Sequence, residues 1–304
     1  MEDADITRFF DRVTSTHGQR GAFNPSIAYV DDATVFAYRA LRKGENVIRA
    51  FLVIRSGRNG SEKVLDLTEI GARFGVHRVA DPKLVKLGDN LYVTFNTGFQ
   101  AKGQNDIYLM SVYPVVGEPQ RVIADFERQK VEKNWAFAQS QQDSLFAIYS
   151  LHPYAEVFLV KGEIGEGGDL HFARRVPQYA DSSRAAGLSI GTQMLPSSRP
   201  NGGHLLVAHE KWVVPRRSKR MYFGRAVTVN GLGTEDVHVL RAPDRLIHHW
   251  KDALPRPRGV HNHNLLSATY FSGLARSGED LKLGYGVNDR GLAVATVKES
   301  DIWV

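Results

Sequence analysis

Leu84 to Asn96 reads LVKLGDNLYVTFN: a short apolar run, the turn residues Gly88-Asp89-Asn90, and a second apolar run that ends on a polar group. Aliphatic and aromatic residues on both sides of a Gly-Asp-Asn cluster predict a strand, a tight turn and a returning strand. The returning run LYVTF, like LFAIY and LLVAH further on, is nearly unbroken rather than alternating, which predicts strands covered on both faces. The same pattern occurs at Ser26 to Arg39 (SIAYVDDATVFAYR), Phe137 to Ser150 (FAQSQQDSLFAIYS), Thr192 to Glu210 (TQMLPSSRPNGGHLLVAHE) and Ala268 to Gly286, which closes on LKLGYG. The ends of these hairpins, at Arg39, Asn96, Ser150, His209 and Gly286, are 57, 54, 59 and 77 residues apart. Each interval accommodates one four-stranded sheet.

Further strand candidates between the hairpins supply the outer strands: Val47 to Ile54, Ile107 to Val112, Val157 to Lys161, Met221 to Val229 and Leu292 to Lys298. Five such sheets bury their faces against one another, and closing them into a ring hides most strand edges. The expectation is an all-β, five-bladed β-propeller with a short N-terminal helix. It forms a single domain over residues 1–304, with residues 1–20 as a helical extension. A β-sandwich or two small β domains compete with this reading, but no Pro-, Ser- or Gly-rich linker divides the chain. The helix follows from Ile6, Phe9, Phe10 and Val13, whose spacing is that of an amphipathic stripe, and it is expected to act as a lid or plug.

Composition narrows the function. Cysteine is absent among 304 residues, which excludes disulfides, thiolate metal sites and cysteine nucleophiles, and suits a reducing cytoplasm. The acidic start MEDADITRFFDRV lacks the basic, apolar make-up of a secretory leader, and no eighteen apolar residues run together, so no membrane span is expected. The net charge of +6 favours anionic partners, with part of it concentrated in Pro215-Arg216-Arg217-Ser218-Lys219-Arg220 and Pro255-Arg256-Pro257-Arg258. His261-Asn262-His263-Asn264 and His248-His249 match no metal-ligand spacing, so no metal is assigned. The chain has no GxxxxGK[ST] loop, no GxGxxG fingerprint after a strand and no Gly-x-Ser-x-Gly elbow. Nucleic acid is not expected as a partner.

In a propeller the inner strands converge on the axis, so polar residues near the ends of the repeats gather in one funnel. The candidates are Asn24 with Arg39, Asp81 with Asn96, the run Lys133-Asn134-Trp135, His209 with Glu210, and Tyr285 with Asp289. Carboxylates, amides, aromatics and bases in this mixture suit a sugar: polar groups for hydroxyls, aromatic faces for C–H surfaces, and an acid for the leaving oxygen. Each has a plainer alternative. Asp81 before Pro82 also fits a turn cap, Trp135 a core residue, Arg39 a partner of a buried carboxylate, His209-Glu210 a structural pair and Asp289 a cap.

The order of these pieces resembles glycoside hydrolase family 130 and its phosphorylase and transferase relatives. FNPSI followed by YRA is similar to that family's opening blade, and ADPKLVKLGDNLYVTFNTG to its Asp-Pro-Arg hairpin. EKNWAFAQSQQDSLFAIYSLHP resembles its lysine-bearing segment, GTQMLPSSRPNGGHLLVAHE its histidine strand, and LKLGYGVND its closing blade. The resemblance spans about residues 20 to 298 and implies a carbohydrate-active enzyme for mannoside-like or polysaccharide substrates. It further implies Asp81 as general acid; the reading of the funnel adds Glu210 or Asp289 as second carboxylate, and Asn24, Arg39, Asn96, Lys133, Asn134, Trp135, His209 and Tyr285 as binding groups. Phosphate or a nucleotide-sugar enters as a co-substrate, and no other cofactor is expected. Three departures weigh against phosphorolysis: Pro153 follows Leu151-His152 where an arginine is usual, Glu210 follows His209, and Ala80 precedes Asp81. A glycosyltransferase and a non-catalytic glycan-binding propeller remain the alternatives.

Overall fold

The computed structural model describes residues 3–57, 60–98, 104–132, 134–139, 144–199, 203–214, 219–242, 246–247, 265–289 and 291–303. Asp3 caps helix α1 (Ala4–Thr16) by accepting the Ile6 N–H at 3.2 Å, a bond that offsets one unpaired donor of the first turn. The apolar stripe then buries Phe9, Phe10 and Val13 against Ile27, Phe36, Tyr38, Ala275 and Val294. Asp3 also binds Lys282 at 3.0 Å. The helix therefore covers the seam between the first and last sheets, where a lid or plug over the funnel was expected.

Strands follow, 58% of the described residues in all. The first sheet runs in order through β1 (Gln19–Val30), β2 (Ala33–Arg42), β3 (Ile48–Ser56) and β4 (Glu62–Asp66). Helix α2 (Leu67–Arg73), capped by Asp66, leads to β5 (Ala80–Leu87), β6 (Asn90–Asn96), β7 (Ile107–Tyr113) and β8 (Gln120–Ala124). β9 (Ala136–Gln139), β10 (Leu145–Ser150), β11 (Ala155–Lys161) and β12 (Leu170–Arg175) form the next antiparallel set, which joins the previous one where β12 pairs parallel with β8. Beyond β13 (Tyr179–Asp181), the inner strand breaks into β14 (Leu188–Ile190) and β15 (Leu195–Pro196), both paired with β16 (His204–Val214). β17 (Lys219–Asn230) and β18 (Asp236–Arg241) complete that set, and β19 (Leu265–Ser277), β20 (Asp280–Val287) and β21 (Gly291–Lys298) form the last.

The hydrophobic clusters show how the sets are arranged. One lies between β1–β4 and β5–β7, the next between β5–β8 and β9–β12, and the third between β9–β10 and β14–β18. A fourth joins β16–β17 to β19–β21, and a fifth returns from β19–β21 to β1–β3. The sheets thus form a nearly closed, barrel-like ring. Leu205, Leu206, Val207 and Ala208 in succession are fully buried, because neighbouring sheets cover β16 on both faces. At the closing seam the glycines of LKLGYG let strands touch. A Cβ on Gly284 would lie 2.2 Å from the Pro25 carbonyl oxygen, and one on Gly286 would lie 2.1 Å from Asn24 Oδ1.

Candidate functional site

Two bulges build one wall of a cavity. The pairing of β1 with β2 slips between Phe23 and Ser26, and that of β5 with β6 slips between Ala80 and Lys83. Inside the slips, Asn24 and Asp81 take left-handed backbone angles, φ 53° and 49°, each immediately before a proline. Asp289, in the turn after β20, has φ 53°. Asn and Asp tolerate this region better than other non-glycine residues, yet each instance costs about 1–3 kcal/mol and has to be held by its surroundings. All three residues line a single cavity of about 590 Å³, with Arg39, Arg78, Asn96, Tyr222 and Tyr270.

Arg39 sits late in β2 opposite Phe23, its guanidinium 5.1 Å from the Phe23 ring centre. From there it donates Nη1 to Asp81 Oδ1 at 2.9 Å, an ion pair that spans the first two sheets. Asn96 occupies the corresponding end of β6, opposite Ala80, and its Oδ1 accepts the Gly98 N–H at 2.8 Å. Asn24 is 3% exposed, and its Oδ1 has no hydrogen-bond partner among the described residues. A buried acceptor left unpaired is costly, so the position is held for a reason other than its own stability.

Tyr270 on β19 was not singled out from the sequence, although it is central to the cavity. Its hydroxyl accepts from Asn134 Nδ2 at 3.3 Å, and the same amide donates to the Ile190 carbonyl at 2.9 Å. The ring lies 4.3 Å from that of His209 and 5.6 Å from Lys83 Nζ. Burial, reinforced by the Asp81 and Asp289 carboxylates, pushes the phenol far above its usual range, so it stays a neutral donor. A tyrosine near the head of an inner strand was the available signal, hidden because ATYFSG reads equally as core. Glu132 and Asn105 also line the cavity, and the Glu132 carboxylate accepts from Trp135 Nε1 at 3.0 Å and from the Tyr149 hydroxyl at 2.9 Å.

Several expected site residues are placed differently. Trp135 is 2% exposed and packs among Phe137, Tyr149 and Phe172, so it is a core residue and offers no open face to a sugar. Tyr285 is 3% exposed and lies in the cluster around Phe271, away from the cavity lining. Glu210 is absent from the lining too. It accepts Trp212 Nε1 at 2.7 Å and Arg225 Nε at 2.5 Å. Burial alone would raise its pKa, but these bonds and the charges of Arg225 and Arg241 outweigh that and hold it below the usual carboxylate value, which makes it a weak base. His209 sits behind Tyr270, and its Nε2 accepts the Phe271 N–H at 2.9 Å. A backbone N–H can only donate, so that nitrogen carries a lone pair and is closed to an anion. Asn134 reaches the site through Tyr270. Lys133, His248-His249 and His261-Asn262-His263-Asn264 lie outside the described residues. Among the described residues no group of three or more His, Asp and Glu is placed to hold a metal ion, and no helix is long and apolar enough to cross a membrane.

No protein-family model matches the sequence, and no curated protein matches it. Solved structures do resemble the fold. A glycosyl hydrolase from Bacteroides ovatus is 11% identical, with a TM-score of 0.61 over 92% of this chain and 85% of the other. A β-1,2-mannobiose phosphorylase from Listeria innocua, in complex with β-1,2-mannobiose, is 12% identical, with a TM-score of 0.60 over 93% and 91%. A third, from work on family 130 glycoside hydrolases that target β-1,2-mannosidic linkages in Candida mannan, is 12% identical, with a TM-score of 0.61 over 92% and 85%. The sheets around this cavity thus lead to one conclusion: this chain has the fold of solved glycoside hydrolase and mannoside phosphorylase structures.

Proposed function

We propose that the chain is a carbohydrate-active enzyme that makes or breaks a glycosidic bond, with Asp81 as general acid and Asp289 as the second carboxylate. The observation that carries this reading is the convergence of two carboxylates and Asn24, all in strained left-handed conformations, on one cavity beside Arg39. Such strain concentrates where geometry is held for chemistry. Two acidic groups facing one cavity are what glycoside cleavage requires, one to protonate the leaving oxygen and one to serve the opposite face. A mannoside-like substrate is the reading favoured by the structures that share the fold.

Five blades fit the architecture. The cavity at the other end of the ring, about 390 Å³, is lined by one consecutive triplet from each of five inner segments: 27–29, 84–86, 137–139, 194–196 and 274–276. Arg39 and Arg78 on the 590 Å³ cavity that holds Asp81 also favour a second reading, in which an anionic co-substrate such as phosphate or a nucleotide-sugar takes the place of water.

A product assay on β-mannosides tests both. Free sugar marks hydrolysis, sugar phosphate formed with inorganic phosphate marks phosphorolysis, and transfer from a nucleotide-sugar marks synthesis. Asp81→Asn is expected to lower turnover at least about 100-fold with the fold intact. Unchanged turnover in that variant would remove Asp81 from the mechanism.

A further inference from the structure

Tyr270 belongs to β19, yet its ring meets residues of three other sheets: Lys83 in β5, Asn134 just before β9, and His209 in β16. These contacts fix the direction of its hydroxyl. The Ile190 carbonyl can only accept, so the Asn134 atom 2.9 Å from it is the amide nitrogen, and that nitrogen also faces the Tyr270 oxygen at 3.3 Å. The phenol oxygen is therefore the acceptor in this bond, and its own proton points elsewhere.

None of the neighbours takes that proton. Lys83 has only donors, and its ammonium is bound to the Gly191 carbonyl. His209 lies ring against ring, and its Nε2 lone pair is occupied by the Phe271 N–H at 2.9 Å. Asp81 and Asp289 line the same cavity, yet among the described residues the hydroxyl proton has no acceptor. Burial, reinforced by these two carboxylates, keeps the phenol protonated well above neutral pH. A donor held this rigidly and left open on a polar cavity matches a ligand oxygen. The neighbouring charges define which oxygen. Ionised carboxylates only accept, and this phenol has only a proton left to give. A hydroxyl serves both, donating to a carboxylate and accepting from Tyr270, whereas an ammonium group only donates and a C–H does neither.

We propose that Tyr270 is a specificity-determining residue whose hydroxyl donates to one hydroxyl of the sugar in the cavity, selecting it over the deoxy and amino analogues. The proposal rests on the reading of the cavity as a glycan site and requires no proton transfer by Asp81. Titration calorimetry with methyl β-mannoside and its four singly deoxygenated analogues tests it, in the wild type and in Tyr270→Phe, which keeps the ring against His209. The wild type is expected to bind one analogue about tenfold more weakly than the parent sugar, and Tyr270→Phe to bind the parent about tenfold more weakly than the wild type does. For that one analogue the variant is expected to lose nothing further, because the hydroxyl that the phenol would meet is already gone.

Equal losses in Tyr270→Phe for the parent and all four analogues would make the hydroxyl a structural group and overturn the proposal. Unchanged affinity of the variant for the parent would do the same. Without any variant, a wild type that binds none of the five sugars, or all five alike, also overturns it. Asp81→Asn separates this proposal from the catalytic reading. Turnover lost there while the Tyr270 pattern fails leaves the catalytic reading standing, and turnover retained while the pattern holds removes Asp81 alone.

Discussion

Phe23-Asn24-Pro25-Ser26-Ile27 in β1 and Ala80-Asp81-Pro82-Lys83-Leu84 in β5 lie 57 residues apart and hold the same place in their sheets. Both are bulges, both put a left-handed residue before a proline, and in both the residue before it pairs with a polar residue late in the next strand, Arg39 or Asn96. They differ in charge and in what surrounds them. Asn24 presses an unpaired amide oxygen against Gly286, whereas Asp81 takes the guanidinium of Arg39 from the neighbouring sheet. The backbone device is therefore repeated while the chemistry is not. A strained bulge aims a short polar side chain at the axis, and the choice between amide and carboxylate decides whether the position can exchange a proton.

Asn24→Asp tests this difference with the largest expected effect, because Arg39 is already committed to Asp81. An added carboxylate at a site 3% exposed is expected to cost about 3 kcal/mol near neutral pH. Burial would raise the folded-state pKa of that carboxyl above its unfolded value, so stability would be retained below the unfolded pKa and lost as pH rises through the folded one. Urea unfolding at pH 5 and 8 reads the trend, and equal midpoints for variant and wild type at both values would mean that the two bulges are interchangeable.

Gly284→Ala addresses what grips the first bulge. A Cβ there would meet the Pro25 carbonyl oxygen at 2.2 Å, where neither backbone has room to yield, and a loss of about 2–3 kcal/mol is expected in thermal or urea unfolding. The second bulge is gripped instead by Ser26 Oγ, which accepts the Leu84 N–H at 2.9 Å, and by Lys83, which reaches the Gly191 carbonyl across the ring. A silent Gly284→Ala would show that the seam is looser than the interface between the first two sheets.

The smallest effect belongs to Asn24→Gly. Glycine adopts the left-handed region without strain, so the lost side-chain contact and the relieved backbone are expected to cancel to within about 1 kcal/mol. Asn24→Ala keeps the strain without the amide and should cost about 1–2 kcal/mol. Equal losses in the glycine and alanine variants would show that the amide, not the backbone angle, holds the bulge.

The hairpins were legible because each needs only a local signal. Gly88-Asp89-Asn90 and Asp31-Asp32 mark turns between apolar runs, and β1–β2, β5–β6, β9–β10 and β19–β20 stand where those runs were read. The fourth hairpin was read from Thr192, but β16 pairs with two fragments on either side of Gly191 to Met194, one of which begins at Leu188. The outermost strands β4, β8 and β12 were not read, since EKVLD, QRVIA and LHFARR mix charge with apolar residues as loops do. Helix α2 escaped because its seven residues bury only Leu67 and Gly71, too short a stripe to show a period.

At the site, Asn24, Arg39, Asp81, Asn96 and Asp289 line the cavity that was anticipated, because each sits at a strand end or turn that position alone could locate. Glu210, Trp135 and Tyr285 were chosen by the same rule of position, yet lie off the lining. What removed them from the lining was the face on which they fall: a shift of one position along a strand turns a side chain from the axis into the space between sheets.

Ser272 Oγ donates to the Pro25 carbonyl across 247 residues of sequence. During synthesis the first sheet waits with one flank uncovered until β19, some 247 residues further along, has left the ribosome. Premature release, or a stall before β19, would leave that flank open to other chains, so products truncated before β19 should clump more readily than the full chain.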